Sequence, residues 1–168
     1  KVDSQHPDID GYVVFLSSLR FRWKLLVYDR DRGVDDIQLF YNDLAKLSFG
    51  EIIWLFNDYI HVHTKDWDKH MLSIRGKFPD NVFAASLNCY NHKKTRNGLS
   101  FVSPILSMEW YGKLGMIAPD RHYHHFIDLM ARKINRLVCL DSVFVTKECK
   151  QNPLPIKDME DQISTLSK

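Results

Sequence analysis

A nearly continuous apolar run, EIIWLFN at residues 51–57, places the strongest constraint on the fold. A strand with one face in water alternates apolar and polar residues, so an unbroken run predicts a strand covered on both faces, as in parallel sheets. The run ends abruptly in Asn57-Asp58. An acidic residue at the end of a buried strand either caps the next turn or holds a ligand.

Similar apolar stretches predict three further strands: KLLVYD (24–29), NVFAASLN (81–88) and CLDSVFVTK (139–147). Between them, apolar residues three and four positions apart predict amphipathic helices over residues 34–48 and 124–137. The segment SMEWYGKLG predicts a short helix that Ser107 caps and Gly115 ends. This alternation predicts an α/β fold with ligands bound at the carboxyl ends of the strands.

The composition is that of an ordinary globular domain. The chain has 168 residues, of which 45 % are hydrophobic and 26 % charged, and its net charge is +2. This charge does not require a nucleic-acid partner, and the basic segment at residues 92–98 is too local to predict one. We expect no transmembrane segment, because no apolar run is long enough to cross a bilayer. Three widely spaced cysteines without a CxxC pair favour a reducing, cytoplasmic location over a disulfide framework.

Three segments together resemble the nucleotide-sugar-dependent glycosyltransferases of the GT-A fold, family-2-like. They are DRG (31–33), YNDLAKLSFGEIIWLFND (41–58) and TKDWD (64–68). The family's order of residues is matched by Gly33, Asn42, Ala45, Gly50-Glu51 and Asn57-Asp58, and one subgroup also has the equivalents of Thr64, Trp67 and Asp68.

The resemblance covers roughly residues 1–147 and implies a GT-A-like (Rossmann-like) domain at 1–150. Its sheet would be mixed, mostly parallel and flanked by helices, with 151–168 as a tail or linker. Because the chain begins at Lys1 without a methionine, we expect the domain to be truncated at its N-terminus.

The implied activity is transfer of a sugar from a UDP- or GDP-linked donor to a hydroxyl of a glycan, lipid or protein acceptor, with inversion. Asp128 takes the position of the catalytic base. Asp58 takes that of a ligand for Mn²⁺ or Mg²⁺, cations that prefer oxygen donors. The residues implied to bind the nucleotide sugar are Asp3, Arg30, Arg32, Asn57, Asp58, Trp110 and Lys147.

Two positions depart from the family pattern. Tyr59 stands where a second acidic residue is expected, and Thr146 or Lys147 stands where a metal-binding histidine is expected. Three alternatives remain open. Asp58 binds the cation alone, Lys147 supplies the positive charge itself, or the domain is a catalytically silent module that binds a carbohydrate or a protein.

Most implied site residues also have a structural interpretation. Asp58 and Asp3 are suited to capping turns. Arg30 and Arg32 fit a solvated loop, and Trp110 fits a hydrophobic core. Asp128 is placed to pair with Arg132, four positions along the same helix.

Overall fold

The structure, a computed structural model, describes residues 2–28, 36–57, 59–89 and 100–147, and of residues 2, 3, 28, 100–102 and 147 it describes the backbone alone. The strands are β1 Val2–Asp3, β2 Val27–Tyr28, β3 Ile52–Trp54, β4 Ile60–Val62, β5 Ala84–Cys89, β6 Ser100–Ser107 and β7 Leu137–Lys147. The helices are α1 Ile9–Ser17, α2 Ile37–Lys46, α3 Trp67–Leu72, α4 Met108–Leu114 and α5 Tyr123–Lys133. No described helix is long and apolar enough to cross a membrane.

The main sheet is mixed, in the order β3-β6-β5-β7-β4, and a separate parallel pair joins β1 to β2. Of the neighbouring pairs in the main sheet, β5-β7 alone is parallel, and the other three are antiparallel. The fold class is therefore mixed α/β as predicted. The prediction of a mostly parallel sheet is wrong.

The strand responsible for this difference is β6, which lies between β3 and β5 and runs antiparallel to both. Sequence reading missed it because Pro104 lacks the N–H that a central strand normally donates. In the structure Pro104 falls within the register shift between β5 and β6, where the ladder is already interrupted. Its carbonyl still accepts a hydrogen bond from the Leu55 N–H at 2.9 Å.

These pairings make β3, β5 and β7 run in one direction, so their carboxyl ends meet at the same edge of the sheet. We call it the carboxyl edge. It contains Asn57 just beyond β3, Cys89 at the end of β5 and the Lys147 backbone at the end of β7. Such an edge is the place where α/β sheets commonly bind ligands.

Both faces of the sheet are covered at its central strands. The apolar run at residues 51–57 instead forms an edge strand, β3, which pairs antiparallel with β6, and its Phe56 is exposed, so the interpretation of this run as a strand inside a parallel sheet is wrong. One hydrophobic cluster contains Ala84 and Leu106, and a second contains their chain neighbours Ala85 and Ile105. Neighbouring residues of a strand point to opposite faces, so the two clusters lie on opposite sides of the sheet. Residues of α2, α4 and α5 belong to the first cluster, and Met71 of α3 to the second.

The predicted helix signals are confirmed for α2, α4 and α5. Ser107 is the N-cap of α4, and its hydroxyl accepts a hydrogen bond from the Trp110 N–H at 3.1 Å. Gly115 ends α4 with a φ of 70°, a left-handed conformation that glycine adopts without steric cost. The α5 helix begins at Tyr123, one residue before the predicted boundary.

Candidate functional site

Strand β3 delivers Asn57 to the carboxyl edge. Ser103 of β6 anchors the strand end, because its Oγ donates to the Leu55 carbonyl at 2.7 Å and accepts from Trp54 Nε1 at 2.9 Å. The chain then turns, and the Ile60 N–H donates to the Asn57 carbonyl at 3.1 Å. The predicted metal ligand Asp58 follows Asn57 in the sequence and lies outside the described residues.

Two tyrosines from different helices surround the Asn57 side chain. The Tyr41 hydroxyl of α2 donates to Asn57 Oδ1 at 2.6 Å, and the Tyr123 hydroxyl of α5 lies 3.5 Å from the Tyr41 hydroxyl. The two phenol rings pack edge to face, with centroids 4.9 Å apart. Asn57, Tyr41 and Tyr123 therefore form one cluster at the carboxyl edge, which we call the Asn57 cluster.

Asn57 Nδ2 is buried and forms no hydrogen bond of normal length and angle with a described residue. A buried donor without a partner costs free energy, which a ligand oxygen would recover by accepting from it. Burial raises the pKa of the Tyr123 phenol, and hydrogen bonding with the side chains of Tyr41 and Asn57 opposes this rise only in part. The phenol therefore stays neutral at physiological pH. Because the Tyr41 hydroxyl gives its proton to Asn57 Oδ1, the Tyr123 hydroxyl can donate to the Tyr41 oxygen.

The pairing of β4 with β7 brings the end of β7 to the same turn. Ile60 is opposite Lys147 in the ladder, so the Lys147 backbone lies beside a residue only two positions after Asp58. Thr146 is opposite His61 in this ladder, and its Oγ1 hydrogen-bonds with Nε2 of His63, the residue just beyond β4, at 2.8 Å. The ladder thus supports a position for Lys147 near the turn.

The pH dependence of stability provides a test of the partly buried environment of His63. Burial, and secondarily the charge of His61, lowers the pKa of His63. The unfolded chain then binds the proton more readily than the folded one, so this contribution to stability is present above a pH of about 6.5 and is lost as the pH falls. We expect His63→Gln to flatten the decline in the free energy of unfolding below that pH, measured by urea denaturation. Equal slopes for variant and parent would contradict it.

Asn42 of α2 fixes the loop that leads into α5. Its Nδ2 donates to the Ala118 carbonyl at 3.1 Å, and its Oδ1 accepts from the Ile117 N–H at 2.6 Å. Ile117 and Ala118 are fully buried, so these main-chain groups have little access to water. Asn42 thereby holds the chain segment that precedes Tyr123 against α2, the helix that contains Tyr41.

The Asn42→Ala variant is expected to lower the free energy of unfolding by about 1–3 kcal/mol, because it leaves buried main-chain groups without partners. Urea denaturation measures the change. The matched control is Gln38→Ala in the same helix, since Gln38 Oε1 is buried without a partner among the described residues. This control should cost little. Equal losses in the two variants would mean that Asn42 contributes through helix packing alone.

Two other residues that carry the family resemblance also brace this region. Thr64 Oγ1 accepts from the Phe144 N–H at 2.7 Å and donates to the Ser142 carbonyl at 3.2 Å. The Trp67 ring packs against the Trp54 ring with centroids 5.0 Å apart. Thr64 therefore holds the segment after β4 to the middle of β7, and Trp67 packs α3 against the end of β3.

Asp128, the predicted base, lies on α5 in the ion pair expected from its spacing. Arg132 Nε donates to Asp128 Oδ1 at 2.7 Å, and about a quarter of the aspartate side chain is exposed at 24 %. Asp128 follows Tyr123 by five positions, which corresponds to roughly 7.5 Å along a helix axis. Five positions also turn the helix by about 140° beyond one full turn, so Asp128 and Tyr123 project from different faces of α5. The helix therefore does not bring the predicted base to the Asn57 cluster.

Trp110, predicted to stack on the donor, is fully buried in the first hydrophobic cluster. Its Nε1 has no hydrogen-bond partner among the described residues. This placement corresponds to the core interpretation of Trp110, because no face of the indole is open to a ligand.

The remaining site predictions lie partly or wholly outside the described structure. Arg30, Arg32 and Asp58 are outside the described residues, and the side chains of Asp3 and Lys147 are not described. The Asp3 backbone belongs to β1, which pairs with β2 and not with the main sheet. The roles of these residues in the site remain predictions from the sequence.

A metal site is not formed by the described residues. They contain no group of three or more histidine, cysteine, aspartate or glutamate side chains that could hold a metal ion. Of the polar groups near the turn, Asn57 Oδ1 accepts from Tyr41, and the His63 imidazole suits softer ions than Mg²⁺ or Mn²⁺. The metal prediction therefore depends on Asp58.

Tyr41 and Tyr123 are the site residues that the sequence did not reveal. Tyr41 follows the apolar spacing of its helix, so it is read from sequence as part of a core stripe. Tyr123 lies one residue before the predicted start of its helix. Their hydroxyl groups, just before Asn42 and at the start of α5, could have marked them as polar site residues. No local sequence pattern, however, indicates that they contact Asn57.

No protein-family model, curated protein or solved structure matches this chain.

Proposed function

We propose that the protein is a glycosyltransferase that moves a sugar from a UDP- or GDP-linked donor to an acceptor hydroxyl. The observation that carries this proposal is the Asn57 cluster. It presents a buried amide donor without a partner at the carboxyl edge of an α/β sheet. A ribose, phosphate or sugar oxygen of the donor would accept from that amide.

In the proposed reaction the acceptor oxygen bonds to the anomeric carbon as the bond from that carbon to the diphosphate oxygen breaks. The electron pair of the broken bond leaves with the diphosphate, and the hydroxyl proton passes to Asp128. Arg132 engages Oδ1 of this carboxylate, so the proton would go to Oδ2. A general base acts this way only within hydrogen-bond reach of the attacking oxygen.

The leaving diphosphate needs positive charge, which Lys147 would supply from the end of β7. The ladder supports this role because it places the Lys147 backbone beside the Asn57–Ile60 turn. Asp3 would accept hydrogen bonds from the base or ribose, and Arg30 and Arg32 would meet phosphate oxygens through their planar guanidinium groups. If Asp58 binds Mn²⁺ or Mg²⁺, the ion would neutralise the same diphosphate.

Thermal denaturation with nucleotides tests the proposal. UDP, GDP or their sugars, at about 100 times the dissociation constant and with and without Mn²⁺, should stabilise the fold by about 2.7 kcal/mol. This corresponds to a rise in melting temperature of roughly 5–10 °C. No shift with any of these nucleotides would overturn the proposal.

A tyrosine variant connects such binding to the Asn57 cluster. Tyr41→Phe removes the hydroxyl that holds Asn57 Oδ1, so we expect nucleotide binding to weaken about five- to tenfold. The matched control is Tyr111→Phe, which makes the same change in a residue packed against the same hydrophobic cluster. Equal affinities for the two variants would place the nucleotide elsewhere.

A second candidate is a silent binding module with the same fold. It is favoured by the ion pair of Asp128 with Arg132 and by the lack of a metal-ligand group among the described residues. Such a module would show no thermal shift with UDP, GDP or their sugars and would release no nucleoside diphosphate from a UDP- or GDP-sugar. Release of the diphosphate with either sugar would exclude it.

A further inference from the structure

Helix α1 contains no buried residue. Its apolar side chains are instead in contact with solvent, with exposed fractions of 41 % for Tyr12, 40 % for Val13, 72 % for Val14 and 61 % for Phe15. These four residues are consecutive, so they surround the helix and do not form a single stripe. A helix of a globular domain normally buries its apolar residues, so an apolar helix left exposed marks an interaction surface.

The segment that follows α1, RFRWK at residues 20–24, alternates cations with aromatic residues. All of it is exposed, including Phe21 at 66 % and Trp23 at 38 %. Arg20 and Arg22 form no ion pair or side-chain hydrogen bond with the rest of the described chain. Their charges are therefore available to a partner.

Most of the charged residues in this stretch are positive. Between Ile9 and Leu26 the sequence has three cations and a single acidic residue, Asp10. The third cation, Lys24, donates to the Leu47 carbonyl at 3.1 Å and lies 4.2 Å from the centroid of the Phe49 ring. Phe49 is itself 72 % exposed, so the apolar and basic character continues onto the segment that precedes β3.

An open cleft of about 710 Å³ is lined by Arg22, Trp23 and Lys24 together with mainly apolar residues from the segment 44–52. The latter are Leu44, Leu47, Phe49 and Ile52. Gly50 and Ile52 place the cleft at the start of β3, whereas Asn57 lies beyond its end. It is therefore separate from the Asn57 cluster.

We propose that α1 and residues 20–24 form a docking surface for an anionic lipid bilayer. Exposed aliphatic and aromatic side chains enter the boundary between headgroups and acyl chains, where tryptophan and tyrosine are favoured. Interleaved arginine and lysine side chains attract anionic headgroups, and each contributes separately near the surface. Charge complementarity thus selects an anionic membrane, and the inference stands whether or not the protein transfers a sugar.

Sedimentation with lipid vesicles tests the proposal, using the whole chain. We expect it to bind vesicles of phosphatidylcholine and phosphatidylserine in equal parts far more tightly than vesicles of phosphatidylcholine alone, and added salt should weaken the binding. The double variant Arg20→Ala, Arg22→Ala should bind the anionic vesicles roughly 30-fold more weakly. The matched control is Lys65→Ala, Lys77→Ala, which removes the same charge from exposed positions around α3 and should stay within about threefold of the parent.

The apolar contribution is tested by Val14→Ser with Phe15→Ser. Because both side chains are exposed, this variant should keep the parent melting temperature and still lose vesicle binding. The proposal is overturned if the parent does not bind phosphatidylserine vesicles, or if the arginine pair and the lysine pair have equal effects. It is also overturned if the parent is a dimer by analytical ultracentrifugation that this serine variant dissociates while vesicle binding is unchanged, because α1 would then cover a second copy of the chain.

Discussion

The Asp128→Asn variant is expected to lose sugar transfer by a factor of about 10²–10⁴, the usual contribution of a general base. Asparagine retains an oxygen that can accept from Arg132 Nε, so the contact that orients the side chain on α5 can persist. The pair is partly exposed, at 30 % and 24 % of the two side chains, and such helix pairs contribute only about 0.3–0.5 kcal/mol. The loss of transfer should therefore come without a measurable loss of stability or of donor binding.

Release of nucleoside diphosphate from UDP- and GDP-sugars measures the effect, with water or an added glycan as acceptor. The matched control is Arg132→Gln, which removes the other half of the ion pair but leaves the carboxylate in place. It should keep transfer within about tenfold of the parent, because the proton acceptor remains. Equal losses for the two variants would make Asp128 a positioning residue, and unchanged transfer in Asp128→Asn would exclude it as the base.

The parts of the fold that follow from local patterns could be predicted from the sequence. The stripes of α2 and α5, the Ser107 cap and the buried run of β5 each depend on residues within a few positions of one another. Strand pairing depends on contacts between distant segments, and local patterns do not encode it. This is why β6 with its Pro104 and the three-residue β4 were missed, and with them the antiparallel majority of the sheet.

The same distinction applies to the candidate site. Asn57 could be placed at a sheet edge because it directly follows the apolar run of β3. Tyr41 and Tyr123 are 82 positions apart in the chain, and their hydroxyls meet only because α2 and α5 pack on the same face of the sheet. The double hydrogen bond of Asn42 to the chain at Ile117 and Ala118 is equally nonlocal.

Trp110 shows how one residue type supports two interpretations that only burial separates. As a ligand platform it would need an exposed ring, whereas the structure buries it completely among the side chains of the first hydrophobic cluster. The Trp110→Ala variant is therefore expected to lower the free energy of unfolding by about 3–5 kcal/mol, the usual cost of the cavity that a large aromatic leaves. Since a domain of this size has a total stability of about 5–15 kcal/mol, a large share would be lost. Urea and thermal denaturation measure it.

The Trp110→Phe variant distinguishes packing from any polar role of the indole. Nε1 has no partner among the described residues, so phenylalanine would remove an unsatisfied buried donor while it fills most of the space. The cap of α4 would also survive, because the Trp110 main-chain N–H donates to Ser107. We expect this variant to cost less than about 1.5 kcal/mol and to bind nucleotides as the parent does. If both variants instead kept the parent's stability and lost nucleotide binding, the ring would have to be exposed to ligand, and α4 would need to pack differently against the sheet.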